Sequence, residues 1–491
     1  MERSSGILMH ITSLPSPYGI GTFGKEAYRF VDFLEKSGQK YWQLLPIGST
    51  GYGDSPYQSF SNFAGNPYFI DLDLLVKEGL LEKSDFDQLD FGSDPEKVDY
   101  EKIFINKLPV LKVAYHKGRE KHQGDIEKFK EENTLWLEDY GLYMALKFEF
   151  GLISWQEWPE AIKLRKENAM NYYKEKLKEE IEYWIFLQFL FFTQWKELKQ
   201  YANEKNIKII GDIPIYVAED SVDTWGNSEI FLLDENKRPI QVAGCPPDAF
   251  SKTGQLWGNP IYRWDLLEST GFDWWIERIE GCIKLYDMIR IDHFRGLESY
   301  WAVPYEEETA VNGKWIKGPG MKLFDALKEK LGDVNIIAED LGYLTPEVID
   351  LRENTGYSGM KVLQFAFDTR EESDYLPHNY DKNCVVYTGT HDNDTVNGWL
   401  LNEKKSDVDF AVKYLKLTEE EGYNWGFIRG AWSSVGKLAI AQMQDFLSLG
   451  SEARMNIPST IGGNWLWRVK REDLTEALAK KIYTITKLYG R

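Results

Sequence analysis

Acidic residues stand at the ends of four short apolar runs of the chain, and their types suit catalysis. The runs end in Asp212, in Asp292-His293, in Glu339-Asp340 and in His391-Asp392-Asn393-Asp394. Acidic side chains are uncommon inside strands, so their recurrence at these ends needs an explanation. Two carboxyl groups can cleave a glycosidic bond, one as nucleophile and one as general acid. Carboxylates beside histidine can instead hold a divalent metal ion. Residue types alone leave both chemistries open.

Arg290 favours the glycosidic interpretation. It lies two residues before Asp292, so on a strand both side chains point to the same face. A guanidinium next to a carboxylate keeps that carboxylate ionised, as a nucleophile requires, and it would repel a metal cation. The alternative is a purely structural ion pair in the interior of the fold. We expect Arg290 to keep the Asp292 carboxylate ionised.

Two stretches combine glycine, proline, hydroxyl and aromatic residues. They are residues 51–68, which we call the aromatic loop, and residues 244–260, in which Phe250 and Trp257 are placed to overhang a cleft. Sugar rings have apolar faces and hydroxyl rims, and this mixture suits both. Turn-rich loops share the same composition, so the pattern indicates sugar binding only weakly.

The wider pattern predicts a scaffold that brings the acidic residues together. Apolar runs alternate with stretches of helical period, as in βα units around a parallel sheet. Eight runs are proposed as strands: 6–13, 41–46, 207–212, 288–292, 334–339, 360–367, 384–390 and 453–458. Eight strands close a (β/α)8 TIM barrel, in which reactive side chains gather at the carboxyl ends of the strands. The predicted fold class is therefore α/β.

The uneven spacing of the runs predicts insertions in the βα loops of a single catalytic barrel spanning residues 1–491. Residues 77–202 are rich in charged, aromatic and helix-forming residues and are predicted to form a helical insertion subdomain. Within them, residues 183–195 are too short to span a bilayer and indicate a buried helix. Residues 213–285, rich in Gly, Pro and Trp, are predicted to form an irregular lobe over the active site.

Charge and cysteine content limit the partners and the compartment. The formal net charge of −20 disfavours nucleic acid and anionic membranes and is compatible with a neutral substrate. The odd number of widely spaced cysteines (Cys245, Cys282 and Cys384) fits neither a disulfide framework nor a zinc site. The first residues lack the apolar core of a signal peptide. A cytoplasmic location is expected.

Six segments together resemble the 4-α-glucanotransferase family (amylomaltase or disproportionating enzyme, glycoside hydrolase family 77), which is related to the α-amylases. In order they are GYGDSPYQSFSNFAGNPY, GDIPIYVAEDS, PPDAFSKTGQLWGNPIY, RIDHFRG, IIAEDLG and GTHDNDT, and they span nearly the whole chain. The resemblance implies a (β/α)8 barrel with inserted subdomains. It also implies an enzyme of α-1,4-glucans that uses no cofactor and no metal.

The resemblance assigns roles to individual residues. Asp292 matches the nucleophile, Glu339 the general acid/base, and Asp392 the third carboxylate, which stabilises the transition state. The residues that match supporting positions are Arg290, His391 and Asp212. The residues that fall in segments lining the family's glucan cleft are Ser55, Tyr57, Asp248, Phe250, Gln255, Trp257, Asn456 and Pro458. Near other carboxylates, Glu339 should have a raised pKa because like charges repel.

Comparison with the α-amylases favours transfer over hydrolysis. Those enzymes usually have Asn-His shortly after the acid of the third strand, whereas Ile-Pro-Ile-Tyr-Val follows Asp212 here. They usually also carry a C-terminal β-sandwich domain, whereas the residues after Asn456 predict one helix, 473–489. The predicted activity is transfer of α-1,4-glucan segments to the 4-hydroxyl of glucose or another glucan. An α-glucan hydrolase and a non-catalytic glucan-binding protein are the alternatives.

Overall fold

A computed structural model of the chain describes residues 2–51, 53–247, 251–342, 344–370 and 372–491. Its strands, in chain order, are β1 (Ser4–Leu8), β2 (Tyr41–Gln43), β3 (Lys208–Ile213), β4 (Gln241–Cys245), β5 (Gln255–Pro260), β6 (Met288–Ile291), β7 (Ser299–Pro304), β8 (Lys314–Lys317), β9 (Ile336–Ala338), β10 (Gly359–Val362), β11 (Cys384–Tyr387) and β12 (Leu438–Gln442).

Eight of these strands form a closed parallel barrel, as the sequence predicts. The order of neighbours is β10-β11-β12-β1-β2-β3-β6-β9. The barrel closes between β9 and β10 through a parallel bridge from Ile337 to Ser358, with the Ala338 N–H donating to the Ser358 carbonyl at 2.9 Å. The strands are short, apolar and almost wholly buried, which is the pattern of parallel strands covered by helices.

The prediction of the eighth strand was wrong. Residues 453–458 contribute only to a 3-10 turn, Ser451–Ala453, and to the loop that follows it. The eighth strand is β12, whose five residues are all buried and which pairs with β1 in the register Ser4↔Leu438. Pro458 has no N–H for a ladder hydrogen bond and is exposed, whereas β12 is a continuous apolar run.

The helices surround the barrel and build the insertions. In chain order they are α1 (Lys25–Lys36), α2 (Leu72–Lys77), α3 (Tyr100–Lys121), α4 (Gln123–Glu132), α5 (Leu137–Glu149), α6 (Glu160–Lys163), α7 (Glu167–Lys176), α8 (Lys178–Glu204), α9 (Val222–Gly226), α10 (Trp264–Ser269), α11 (Asp273–Leu285), α12 (Met321–Leu331), α13 (Pro346–Thr355), α14 (Val396–Asn402), α15 (Lys405–Leu415), α16 (Tyr423–Ser433), α17 (Met443–Phe446) and α18 (Glu476–Leu488). In the described part of the chain, every helix is too short or too polar to span a membrane.

Helix α8 connects the inserted helices to the barrel. It packs against α3 and α5 on one side and against α1 and β3 on the other. Two buried glutamines interrupt its apolar face, and each pairs with both backbone polar groups of one residue. Gln188 accepts from the Gly65 N–H at 2.7 Å and donates to the Gly65 carbonyl at 3.0 Å. Gln194 accepts from the Asp71 N–H at 2.7 Å. These contacts attach residues 65–71 to the helix.

Residues 213–285 are more regular than the sequence indicates. They contain α9, α10, α11 and the antiparallel pair β4–β5, which joins β7 and β8 in a four-stranded sheet with the order β5-β4-β7-β8. Gly244 is required at a close approach, since a Cβ there would lie 2.6 Å from the Gln255 carbonyl oxygen. Glycine and proline in this segment therefore mark turns and tight strand contacts within a small sheet.

Candidate active site

Arg290 lies at the centre of a cluster of carboxylates at the carboxyl ends of β3, β6 and β9. Its Nη1 donates to both oxygens of Asp212, at 2.7 and 2.5 Å. The same nitrogen lies 3.3 Å from Asp292 Oδ1, and Nη2 lies 3.4 Å from Glu339 Oε1. The side chains of Arg290 and Asp212 are 2% and 0% exposed, whereas those of Asp292 and Glu339 are 27% and 18% exposed. The two accessible carboxylates, Asp292 and Glu339, are therefore in contact with the buried Arg290–Asp212 ion pair.

Burial dominates the protonation of this cluster. Burial raises the pKa of Asp292 well above its usual range, the charge of Glu339 raises it further, and Arg290 opposes both. The expectation that Arg290 alone keeps Asp292 ionised is therefore too simple. The pKa of Glu339 is also raised, as predicted, but burial is the largest cause, ahead of the neighbouring carboxylates. Because the charge of Glu339 raises the pKa of Asp292, the titrations of the two carboxyls depend on each other.

Glu339 is oriented by the backbone after β6. The His293 N–H donates to Glu339 Oε2, and the Phe294 N–H donates to the Glu339 carbonyl at 3.1 Å. His293 has a φ of 51°, a left-handed conformation that is uncommon for residues other than glycine. Trp257 packs edge-on against the His293 ring at 4.6 Å, and Gln255 accepts from the Trp257 indole N–H at 3.2 Å. Burial lowers the pKa of His293 to about 3, so this imidazole is neutral.

Tyr57, in the aromatic loop, joins the cluster to the end of β11. Its hydroxyl donates to Asp212 Oδ2 at 2.7 Å. Its ring stacks on His391, with ring centroids 5.1 Å apart and an interplanar angle of 16°. Burial raises the pKa of Tyr57 well above its usual value, and the charge of Asp212 adds to this, so the phenol stays a donor. One tyrosine thus contacts groups from two distant barrel strands.

Asp392 lies beside His391 and is the most exposed of the three candidate catalytic carboxylates, at 41%. Its Oδ1 accepts from Asn456 Nδ2 at 2.6 Å and lies 3.3 Å from His391 Nε2. Arg454 Nη2 donates to the Asp392 carbonyl at 2.6 Å, which anchors the backbone. Burial lowers the pKa of His391, although the Asp392 charge opposes this. Asn456 and His391 thus hold one oxygen of a carboxylate that is otherwise open to solvent.

The other residues predicted for the site have mixed outcomes. Ser55 accepts from the Tyr57 N–H at 3.3 Å and so belongs to the turn that presents Tyr57. Pro458 is exposed, two residues beyond Asn456. Asp248 and Phe250 lie outside the described residues. Asp340 has a structural role instead, because it accepts from the Met360 N–H at 2.7 Å and from Arg352 at 3.1 Å.

Sequence reasoning missed Trp465 and Arg454. The Trp465 ring lies 5.9 Å from Tyr57 and 5.8 Å from His391, so it backs the stacked pair. Gly462 and Gly463, both with positive φ, make the turn before it. The signal was this Gly-Gly turn followed by a tryptophan.

The fold and the site together define a class: a (β/α)8 barrel with facing carboxyl groups suited to glycosidic bond chemistry. A family model described as 4-alpha-glucanotransferase matches residues 9–475. The chain belongs to this family, as the six motifs indicate.

Similar proteins cover the whole chain. A 4-alpha-glucanotransferase from Clostridium butyricum is 60% identical over 98% of this chain and 100% of its own length. One from Streptococcus pneumoniae is 52% identical over 100% of this chain and 98% of its own length. The solved structure of amylomaltase from Streptococcus agalactiae, in complex with acarbose, matches with a TM-score of 0.98 and 47% identity over 100% of both chains.

Proposed function

We propose that the chain is a 4-α-glucanotransferase that moves α-1,4-glucan segments from a donor to the 4-hydroxyl of glucose or of another glucan. The observation that carries this proposal is the contact of one buried guanidinium, Arg290, with both Asp292 and Glu339. Such an arrangement presents a nucleophile and a proton donor to one linkage. The full-length similarity to 4-alpha-glucanotransferases supports the transfer activity.

In the first step, the Asp292 carboxylate attacks the anomeric carbon of the donor and forms a covalent glucosyl ester. Glu339 gives its proton to the glycosidic oxygen, which takes the electron pair of the breaking bond and leaves as the 4-hydroxyl of the released fragment. Positive charge on the ring is greatest in the transition state. Asp392, a half-exposed carboxylate that Asn456 and His391 orient, stabilises that charge.

In the second step, the 4-hydroxyl of an acceptor attacks the same carbon from the face that the leaving group vacated. Glu339 now accepts the hydroxyl proton, and the electron pair of the ester bond returns to Asp292. Two displacements at one carbon retain its configuration. The enzyme regains its starting protonation state, so the cycle needs no cofactor and no external proton.

The chemistry requires the shared proton to lie on Glu339 while Asp292 is ionised. In the unliganded site, burial raises the pKa of both groups, and the His293 N–H lowers the pKa of Glu339 alone. A bound glycosidic oxygen gives a protonated Glu339 an acceptor, which favours the reactive arrangement. Substrate binding therefore sets the proton position.

The substrate class follows from the cleft. Tyr57 and Trp257 supply apolar faces, and Gln255 and Asn456 supply amide groups for hydroxyls. We propose α-1,4-glucans such as malto-oligosaccharides as the partners, and neither nucleic acid nor membranes. A cytoplasmic location is part of the proposal, supported by the odd number and wide spacing of the cysteines.

The test is incubation with maltotriose followed by chromatography of the products. Oligomers longer than maltotriose, together with glucose, are expected; maltose and glucose alone would identify a hydrolase. Asp292→Asn should abolish turnover and leave the fold intact by circular dichroism, and retained activity would remove Asp292 from the nucleophile role. Full activity after exhaustive chelation is expected, whereas its loss would revive the metal hypothesis.

A further inference from the structure

Arg278 lies on α11, outside every motif segment, and its side chain is buried beneath the aromatic loop. Its Nη1 donates to the Ile215 carbonyl at 3.1 Å, and its Nη2 donates to Asn62 Oδ1 at 2.7 Å and to the Pro214 carbonyl. The guanidinium carbon lies 5.0 Å from the ring centroid of Trp275. A buried cation is costly unless its donors are used, and here both terminal nitrogens of the guanidinium donate to oxygens, although Nε has no partner among the described residues.

Asn62, in the aromatic loop, joins Arg278 to a buried carboxylate. Its backbone N–H and its Nδ2 both donate to Asp223 Oδ2, at 2.8 and 3.0 Å. Its Oδ1 accepts from Arg278, so one amide side chain bridges a buried positive charge and a buried negative charge. Burial raises the pKa of Asp223, while the two bonds from Asn62 lower it. An amide is needed here, because it carries a donor and an acceptor on one carbon.

This bridge meets the active site at the end of β3. Pro214 and Ile215, whose carbonyls hold Arg278, follow closely after Asp212, which accepts from the Tyr57 hydroxyl. The aromatic loop is thus attached to the same short segment twice, through Tyr57 and through Asn62. A third bond runs from the Val222 N–H to the Phe60 carbonyl at 2.8 Å. Two separate attachments fix the tilt of the loop as well as its position.

We propose that Asn62 and Arg278 are positioning residues for the transfer reaction, which set the Tyr57 ring against His391. The inference rests on the proposed function and concerns how the same site is aligned. Without the bridge, the loop keeps its attachments at Tyr57, Phe60 and Gly65 but loses the one that joins it through Arg278 to Pro214 and Ile215. The middle of the loop is then free to shift relative to the end of β3. The stacked pair and the Tyr57–Asp212 bond then lose their common alignment with the reacting sugar.

The experiment compares Asn62→Ala with the unchanged enzyme in maltotriose transfer. We expect kcat/KM to fall about 10- to 100-fold, mostly in kcat, because small misplacements of aligned groups slow the chemical step. The matched control is Asn203→Ala. Asn203 also donates to a carboxylate, Asp287 Oδ2, at 2.9 Å, but it is exposed and lies at the opposite end of the strands, so its loss should leave kcat/KM unchanged.

A double-mutant cycle with Tyr57→Ala separates positioning from general stability. If Asn62 acts through Tyr57, Asn62→Ala should lower kcat/KM by less than about 2-fold in the Tyr57→Ala background. Arg278→Lys keeps the positive charge but loses the paired donors of the guanidinium. It should also lower kcat/KM less in the Tyr57→Ala background than in the unchanged enzyme. The proposal is overturned if the penalty is equal in both backgrounds, or if only thermal stability falls. A wild-type enzyme that makes no longer products would instead refute the proposed function.

Discussion

The floor of the cleft and its aromatic wall are held in place by different means. The floor consists of Asp212, Arg290, Asp292 and Glu339, which sit on or directly after paired strands; Asp212 and Arg290 are direct partners in the β3–β6 register. In the described residues of the aromatic loop, strand pairing is limited to isolated bridges such as Thr50↔Ser59. The loop is held by side chains that reach it from inserted helices.

Because of this difference, substitutions in the two regions should have different consequences. On the floor, backbone hydrogen bonds of the barrel fix each Cα, so a substitution changes chemistry more than position. In the aromatic loop, hydrogen bonds of the Gln188 and Asn62 side chains take the place of strand pairing. A substitution at either residue, away from the catalytic carboxylates, is therefore expected to shift the position of the loop. Helix α8 therefore helps to order the loop that carries Tyr57, because Gln188 holds Gly65 within that loop.

The largest effect is expected from Arg290→Lys. Lysine places one compact charge where the guanidinium contacts Asp212, Asp292 and Glu339 at once, so two carboxylates lose their partner. We expect kcat for maltotriose transfer to fall by a factor of about 1,000 with little change in the circular dichroism spectrum. The control is Arg352→Lys, because Arg352 pairs with the neighbouring Asp340 at 3.1 Å, and its kcat should stay within about 3-fold. An equal fall of kcat in both variants would contradict a specific role of Arg290 in catalysis.

A smaller effect, and one on stability, is expected from Gln188→Leu. Leucine leaves the buried N–H and carbonyl of Gly65 without their side-chain partner. The free energy of unfolding should fall by about 2–4 kcal/mol, since each unsatisfied buried group costs about 1–3 kcal/mol. Gln200→Leu, on the exposed side of the same helix, is the matched control and should change it by less than about 0.5 kcal/mol. Denaturant unfolding monitored by fluorescence measures both. Indistinguishable variants would contradict the role of α8 in ordering the aromatic loop.

The smallest effect is a pH dependence of stability that comes from Asp445, near the loop that contains Asp392. Asp445, after β12, accepts from Thr388 Oγ1 at 2.6 Å and from the Val396 N–H at 2.8 Å, which fixes the loop containing Asp392. Burial raises the pKa of Asp445 to about 6, so its folded form binds a proton that the unfolded form has lost. Its contribution to stability is therefore complete below pH 4 and is lost as the pH rises to 6. Asp445→Asn should flatten the stability curve between pH 4 and 6 by up to about 3 kcal/mol. An unchanged slope in thermal melts at these pH values would contradict the assignment.

Prediction from sequence succeeded for strands whose apolar run ends in an acidic residue. The runs that end at Asp212, Asp292 and Glu339 are apolar and end in a charge, and each became a barrel strand. It failed at the last strand, because β12 ends at Gln442 and so lacks the acidic residue that marks the ends of the other three runs. The roles of the substrate-binding residues stay predictions.

By itself, the sequence determined the family, the (β/α)8 barrel and the positions of the acidic residues, because apolar periodicity and strand-end charges are local properties of the chain. Only the tertiary structure decided which charges share one guanidinium, that burial outweighs Arg290 in the titration of Asp292, and that Asn62 meets Arg278 across more than two hundred positions. Electrostatic energies and hydrogen bonds depend on distance and burial, and for residues far apart in sequence these are set by the closed barrel and its insertions.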